Sequence, residues 1–323
     1  MDVFRRLPPA DQRTDCALTI GNYDGVHRGH QAVLGRLVEQ ARRRGLASCV
    51  LTFEPHPREF FAARHGGEPP ARILTERDKL DALAACGIDR VCIARFDQAL
   101  AGLSPQAFID EVIVEGLRTR FLLVGDDFRF GAKRAGDVHT LEAAAATRGF
   151  ELEQLGSVLA DGERISSSAV RAALAAGDFA RARELLGRGY RISGHVVHGR
   201  KLGRNLGFPT LNLQIPFPRP ALAGVFVVRV HGLGPEALPG VASLGTRPAV
   251  ESDGRPLLEV HLLDFDRDVY GELVGVEFCS KLRDEANFDS LDALAAQIAA
   301  DVREARQWHE QHPARTDARS TTD

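Results

Sequence analysis

Thr19-Ile20-Gly21-Asn22-Tyr23-Asp24-Gly25-Val26-His27-Arg28-Gly29-His30-Gln31 joins two patterns of different period. Before it, Ala17 to Ile20 is a short apolar run of strand type; after it, Val33, Leu34, Leu37, Val38 and Ala41 recur at helical spacing. Gly21 and Gly25 break the chain between the two, so the segment reads as strand, glycine-rich turn, helix. The first turn of such a helix presents unpaired N–H groups and the positive end of the dipole, which together hold anions. Gly29 would let a phosphate approach the backbone. His27 and His30 flank it and can donate hydrogen bonds, or a proton, where negative charge develops. Taken alone, the same string also fits a plain glycine turn with two surface histidines.

Outward from this stretch, Gly45 should end the first helix, and apolar runs at Leu46 to Phe53, Arg90 to Phe96, Arg120 to Val124 and Glu151 to Val158 read as strands. They alternate with helical stretches at Thr75 to Cys86, Pro105 to Glu115 and Val138 to Arg148, which predicts a parallel sheet covered on both faces. Ligands of such sheets lie beyond the carboxyl ends of the strands. There the chain places His27 and His30, then Glu54-Pro55-His56-Pro57, then Gly125-Asp126-Asp127-Phe128-Arg129-Phe130-Gly131. Ile165-Ser166-Ser167-Ser168-Ala169-Val170-Arg171 opens a further helix. One serine suffices as its cap; three, with an arginine one turn in, exceed that need.

A helical hairpin, Ala169 to Ala175 and Phe179 to Leu186, leads to Gly187, where a domain boundary is set: residues 1–186 form one domain and 187–311 another, with 312–323 a disordered tail. In the second domain, short apolar strands are punctuated by glycine and proline: Tyr190 to Val197, Gly224 to Val230, Val241 to Leu244, Leu257 to Phe265 and Leu273 to Cys279. This predicts a small antiparallel barrel. Ser290 caps a closing helix whose apolar face, Leu291, Leu294, Ala295, Ile298 and Val302, is expected to cover it.

Gly194 to Leu213, G-H-V-V-H-G-R-K-L-G-R-N-L-G-F-P-T-L-N-L, has no Gly-Lys-Ser/Thr, so a nucleotide site here is not a P-loop. Gly199, Gly203 and Gly207, four apart in a basic loop that includes Arg204, could let backbone amides wrap phosphate oxygens. Thr210 and Asn212, two apart in an extended segment, point the same way and offer oxygens to a hard cation. Two neutral ligands suffice for Mg2+ when substrate phosphates supply the rest. In Leu258 to Phe265 the alternation sets Leu258, Val260 and Leu262 on one face, with Glu259 and His261 on the other.

His-x-Gly-His at a strand-to-helix turn is the signature of nucleotidyltransferases. The wider string around it resembles the adenylyltransferase module of bacterial bifunctional riboflavin kinase/FAD synthetases. Gly194 to Asn212 is similar to the riboflavin kinase signature G-x-V-x-x-G-x-x-x-G-R-x-L-G-x-P-T-x-N at every fixed position. The resemblance runs from about Leu18 to Val302. It implies a Rossmann-like α/β nucleotidyltransferase domain followed by an all-β kinase barrel, riboflavin, FMN and ATP as substrates, FMN and FAD as products, and Mg2+ as metal. It also implies residue roles. Glu259 is the kinase base, Thr210 and Asn212 hold the metal, and Gly199, Gly203 and Arg204 line the kinase's ATP loop. His27, His30, Gly21, Asn22, Gly29, Ser166, Ser167 and Arg171 serve ATP in adenylyl transfer. Asp126, Asp127, Phe128 and Arg283 serve flavin. Two departures stand out: Ser243 to Ala249 replaces N-x-G-x-R-P-T with S-L-G-T-R-P-A, and Tyr23 replaces the commoner phenylalanine.

Composition agrees with this reading. The 323 residues are 44% hydrophobic and 26% charged, enough for two cores. A formal charge of −3 gives no basic footprint for nucleic acid, and no apolar window is long enough for a membrane span. The N-terminus, with Arg5, Arg6, Pro8 and Pro9, has no signal-peptide core, so the expected location is the cytoplasm. The five cysteines include no Cys-x-x-Cys pair, and all five are read as reduced and structural.

Overall fold

The computed structural model describes residues 1–156, 159–160, 163–199, 206–246 and 256–313. Its contacts divide the chain into two compact units: residues 1–70 with 79–167, and 71–78 with 168–323. The second unit thus takes in the helical hairpin that the sequence reading set in the first domain, together with a segment from within the first half of the chain.

The first unit is built on a six-stranded sheet. Its strands are β1 (Asp2–Phe4), β2 (Cys16–Ile20), β3 (Ala47–Glu54), β4 (Arg90–Arg95), β5 (Thr119–Gly125) and β6 (Glu151–Leu155), in the order β1-β4-β3-β2-β5-β6. Every neighbouring pair is parallel, with Leu18 beside Cys49 and Leu122. All of β2 is buried, as a central strand covered on both faces must be, and Leu18, Leu51 and Leu122 pack with Ile109, Ile113 and Leu141. The strand order reverses between β2 and β5, the switch point at which such sheets bind ligands. Helix α1 (Arg28–Arg44) follows β2 and stops at Gly45, whose left-handed φ of 64° caps it.

One helix was not expected. Pro57–His65 starts directly after Glu54-Pro55, where the sequence suggested only a strand-end loop. His56 caps it through Nδ1, which accepts from Arg58 N–H, while Glu59 reaches back to His56 N–H and Pro57 occupies the first turn. A small hairpin, β7 (Leu159–Ala160) and β8 (Glu163–Arg164), precedes the serine-rich helix Ser167–Ala176.

In the second unit, β9 (Arg191–His195), β10 (Leu211–Gln214), β11 (Gly224–His231), β12 (Leu238–Thr246), β13 (Pro256–Leu262) and β14 (Leu273–Arg283) pair antiparallel in the order β10-β13-β12-β11-β14-β9. Val197, just past β9, donates its N–H to Asn212 O at 2.8 Å, so the two end strands nearly close the barrel. One face of the sheet packs Phe226, Val228, Leu258 and Val260, with Phe179 and Phe278 edge-on to Phe226. On the other face, Val225, Val227 and Val241 lie under the closing helix Leu291–Gln311, which presents Val302, Ala305 and Trp308. Ser290 caps that helix as expected, but Leu291, placed on the covering face by its spacing, is 60% exposed. Leu294, Ala295, Ile298 and Val302 are half-buried, and the buried positions of the helix, Asp301 and Ala305, lie toward its C-terminal half. His312, assigned to the tail, stacks on Trp308, and its carbonyl accepts from Arg229. Residues beyond 313 lie outside the described part.

The segment 71–78 belongs to this barrel by explicit bonds. Arg72 N–H donates to Arg219 O (2.8 Å), Tyr190 Oη to Ile73 O (2.8 Å), and Ser193 N–H to Asp78 Oδ2 (3.0 Å). Ile73 and Leu74 are buried. Among the described residues no helix is long and apolar enough to cross a membrane, and none of the five cysteines is disulfide-bonded.

Candidate functional sites

Past β2 the chain turns through two strained residues, Tyr23 at φ 49° and Val26 at φ 39°, conformations that cost on the order of 1–3 kcal/mol each for L side chains. Local bonds hold the turn in place. Tyr23 Oη lies 2.8 Å from Thr19 Oγ1, Thr52 Oγ1 donates to Asn22 O (3.2 Å), and Gln31 Nε2 donates to Val26 O (2.8 Å). The phenolic hydroxyl that distinguishes Tyr23 from phenylalanine is therefore a strut between strand and turn. Gly21 lies so close beneath the Tyr23 ring that a Cβ would stand 3.0 Å from it.

His27 is the N-cap of α1: its Nδ1 accepts from His30 N–H at 3.2 Å, which leaves its ring proton on Nε2. The two imidazoles stack at 3.7 Å with 15° between planes, and Tyr23 lies 5.0 Å from His30. Burial, then the neighbouring charges of His27 and Lys79, hold the His30 imidazole well below the usual histidine value. Asn22 Oδ1 and His30 Nδ1 are enclosed with no hydrogen-bond partner, and the first turn of α1 has no acidic residue. The turn is thus a cluster of enclosed polar atoms at a helix N-terminus. Gly29 packs against its own cap: a Cβ there would meet the His27 ring at 3.1 Å and Ile165 O at 3.2 Å.

Ser167 Oγ donates to Asp24 O (2.8 Å), tying the serine segment to the same turn, and Ser166 just precedes it. Arg171 falls in the other unit, where Nε donates to Ala71 O (2.6 Å). After β5, Asp126 and Asp127 are exposed, and Asp127 pairs with Arg164 at 2.7 Å. Phe128 stacks on Phe130 at 5.6 Å, while Phe130 bridges Gly136 so closely that a Cβ there would stand 2.7 Å from the ring.

Two features of this unit escaped the sequence reading. Phe53, Phe60, Phe61 and Phe96 form an aromatic wall at the carboxyl ends of β3 and β4, with edge contacts of 5.3–5.8 Å and Phe61 44% exposed. Its signal was available in Phe60-Phe61 one turn after the cap His56. The second feature is Lys79, 5% exposed.

In the barrel, one cross-strand row brings three polar residues together. Asn212 on β10 is opposite Glu259 on β13, which is opposite Ser243 on β12, so the three side chains share one face. Val225 and Arg283 continue the row. Asn212 is 4% exposed; Nδ2 donates to Thr210 O (3.3 Å), and Oδ1 is buried without a hydrogen-bond partner. Gly199 lies directly against that amide: a Cβ would stand 2.5 Å from both Nδ2 and Oδ1. The donor turned away and the acceptor left open suit a hard cation. His261 Nδ1, 2.8 Å from Pro209 O, steadies the segment that carries Thr210.

Arg283 does not have a free guanidinium. It makes paired bonds to Asp301 of the closing helix (Nε–Oδ1 3.0 Å, Nη2–Oδ2 2.8 Å). Glu285 seats its carboxyl on the backbone of Gly245; burial of that end raises its pKa, Arg283 opposes the rise, and the charge of Glu259 adds to it. A second acid therefore stands beside the Glu259 row. Gly203 and Arg204, as well as the departure at Ala249, lie outside the described residues.

Residues 10–169 match the FAD synthetase family and residues 186–309 the riboflavin kinase family. The bifunctional riboflavin kinase/FMN adenylyltransferase of Escherichia coli K12 is 49% identical over 91% of this chain and 92% of its own length. That of Pseudomonas fluorescens is 50% identical over 90% and 92%, and that of Haemophilus influenzae 45% over 95% and 98%. A crystal structure described as a macrolide-efflux protein from Streptococcus pneumoniae shares the fold, with a TM-score of 0.74 and 28% identity over 95% of this chain and 98% of that one. With both domain families in order and relatives matching along nearly their whole length, the chain belongs to the bifunctional riboflavin kinase/FMN adenylyltransferases, which make FMN from riboflavin and then FAD from FMN.

Proposed function

We propose that the Asn212–Glu259 row performs the phosphorylation and the His27–His30 turn the adenylyl transfer. The observation that carries this division is chemical: a carboxylate directly across from an unpaired amide oxygen in one unit, and stacked imidazoles at a helix N-terminus in the other.

Phosphorylation needs a base, since the terminal ribityl hydroxyl is a poor nucleophile at neutral pH. Glu259 takes that proton as the oxygen attacks the γ-phosphorus of ATP, the bond to the β,γ-bridging oxygen breaks, and its electron pair leaves with ADP. Thr210 and Asn212 would hold Mg2+, which when bound offsets the charge of the phosphates. Gly199, by fitting under Asn212, keeps that amide in place. Gly203 and Arg204 are assigned to the ATP phosphates. Arg283 serves the flavin end as a positioning residue, fixing the closing helix beside the row.

Adenylyl transfer needs no base, because the FMN phosphate is already anionic near neutrality. The task is to align two anions and to spread the charge that builds on pyrophosphate. His27, His30, Gly21, Asn22, Gly29 and the α1 N-terminus take the triphosphate, with Ser166 and Ser167 beside them. Asp126, Asp127 and Phe128 contact flavin, and the exposed Phe61 and its neighbours offer a second aromatic surface for the ring system. The cytoplasm, where ATP is abundant and thiols stay reduced, is the proposed location.

Incubation of the purified protein with riboflavin, ATP and Mg2+, followed by chromatography, tests the reading. FMN and FAD both accumulate if each site works as assigned. FMN alone would limit turnover to the barrel, and neither product would leave a flavin-binding protein without turnover.

A further inference from the structure

Glu285 is an exposed residue on the loop that follows β14, yet its carboxyl turns back onto β12. A Cβ at Gly245 would collide with both of its oxygens, so the carboxyl fills the space that a side chain at 245 would take. Gly245 and Ser243 are two apart on β12, which pairs with β13 without a register shift, Ser243 facing Glu259. Alternation therefore sets the Gly245 position on the face that carries Ser243, Glu259 and Asn212. That position is the diagonal neighbour of Glu259, about 7–8 Å from it. Ser243 adjoins both, and its side chain is one bond shorter than the asparagine of the family pattern, which leaves room in front of the strand. The cations next to Glu285 in sequence are engaged elsewhere: Arg283 with Asp301, and Lys281 with Asp284. Burial of the carboxyl, opposed by Arg283 and reinforced by the charge of Glu259, raises its pKa, in agreement with this placement.

An ionised carboxyl accepts hydrogen bonds and donates none. With the terminal hydroxyl of riboflavin at Glu259, the groups next in line are the secondary hydroxyls of the ribityl chain, each a donor. The diagonal from Glu259 to Gly245 is within the reach of an open five-carbon chain. The phosphates of ATP carry the same charge as Glu285 and are repelled from it. We propose that Glu285 is a specificity-determining residue of the phosphorylation, its carboxyl accepting from the secondary hydroxyls of the ribityl chain while the terminal hydroxyl lies at Glu259. The inference rests on placing phosphorylation at the Glu259 row.

The experiment offers the full-length protein two alcohols: riboflavin, and a flavin whose N10 carries an unbranched 5-hydroxypentyl chain. The second keeps the ring and the reacting hydroxyl but lacks the secondary ones. Wild type, Glu285→Ala, Glu285→Gln and Glu259→Gln are assayed on each with ATP and Mg2+. Wild type favours riboflavin by at least about 100-fold in kcat/KM, as a site built to hydrogen-bond substrate hydroxyls does. In Glu285→Ala that preference shrinks at least about tenfold, the scale of a lost hydrogen bond to a charged group, and the change falls on the riboflavin KM more than on kcat. Glu285→Gln keeps one acceptor oxygen and shows a smaller shrinkage; it serves as the test in its own right should Glu285→Ala not fold. No preference in wild type, equal losses on both alcohols, or a changed Mg2+ requirement with the preference unmoved overturns the role. Undiminished FMN formation in Glu259→Gln would instead overturn the placement of phosphorylation at this row.

Discussion

Glu259 on β13 stands directly across the ladder from Asn212 on β10, so a carboxylate and an amide with an unpaired oxygen share one face of the barrel. This pairing puts the proposed base next to the proposed metal ligand without relying on a loop. Glu259→Gln keeps the shape and removes the basicity. FMN formation should drop about 10²- to 10⁴-fold, the range for a lost general base, while FAD formation from supplied FMN persists. Loss of both activities would contradict two independent sites.

Gly199 gives a steric test of the same row. A methyl group there would lie 2.5 Å from the Asn212 amide, so Gly199→Ala must push that side chain aside. The Mg2+ concentration needed for half-maximal FMN formation should rise at least about tenfold, the scale of a disturbed ligand shell. An unchanged Mg2+ titration would remove Asn212 from the metal site.

His30 predicts a pH effect on stability. Its folded pKa lies below the unfolded value of about 6.5, so the unfolded chain takes up its proton first. Stability from this group is complete above about pH 6.5 and declines as pH falls, until the folded imidazole is itself protonated. His309 acts in the same direction, chiefly through burial and next through the charge of Arg229. Denaturant unfolding compared at pH 7 and pH 5.5 should show the loss. His30→Gln and His309→Gln should each flatten it, and identical slopes in all three proteins would refute the assignment.

Asp301 is 4% exposed and accepts from both Arg283 and Gln297. Removing one partner of such a pair leaves a charge without compensation, so Asp301→Ala should cost roughly 3 kcal/mol in the barrel unit. Riboflavin phosphorylation should lose thermal tolerance before FAD formation does. Simultaneous loss of both would argue that the closing helix stabilises more than the barrel.

Much of this architecture was legible in the sequence because its period and punctuation agree. The apolar run into Ile20, the glycines at 21 and 25 and the helical spacing to Ala41 specify β2, the turn and α1, and Gly45 ends the helix where expected. Glu259 was placed opposite its apolar neighbours by alternation alone, and β13 shows that pattern. Three features were hidden for separate reasons. The helix after Pro57 is capped by a histidine, outside the usual capping residues. Lys79 sits in an ordinary amphipathic helix, where a lysine is expected to face solvent, and only the tertiary fold encloses it. The closing helix could be phased from Leu291, but its covering stripe includes Asp301, a polar residue whose carboxylate is met by Arg283 from β14 and by Gln297. Pattern reading sees periodicity, whereas these positions are set by a partner far away in sequence.

The bonds from Arg219, Tyr190 and Ser193 to the segment 71–78 bear on synthesis at the ribosome. When residues 71–78 emerge, the residues that bond them, Tyr190, Ser193 and Arg219, are more than a hundred residues from being translated. The nascent chain must therefore carry this segment, with Ile73 and Leu74, without its bonding partners until the barrel follows it out of the tunnel. A gene cut between the two domain families would deliver that segment on the wrong polypeptide, so the barrel's last piece is encoded upstream of everything else in it.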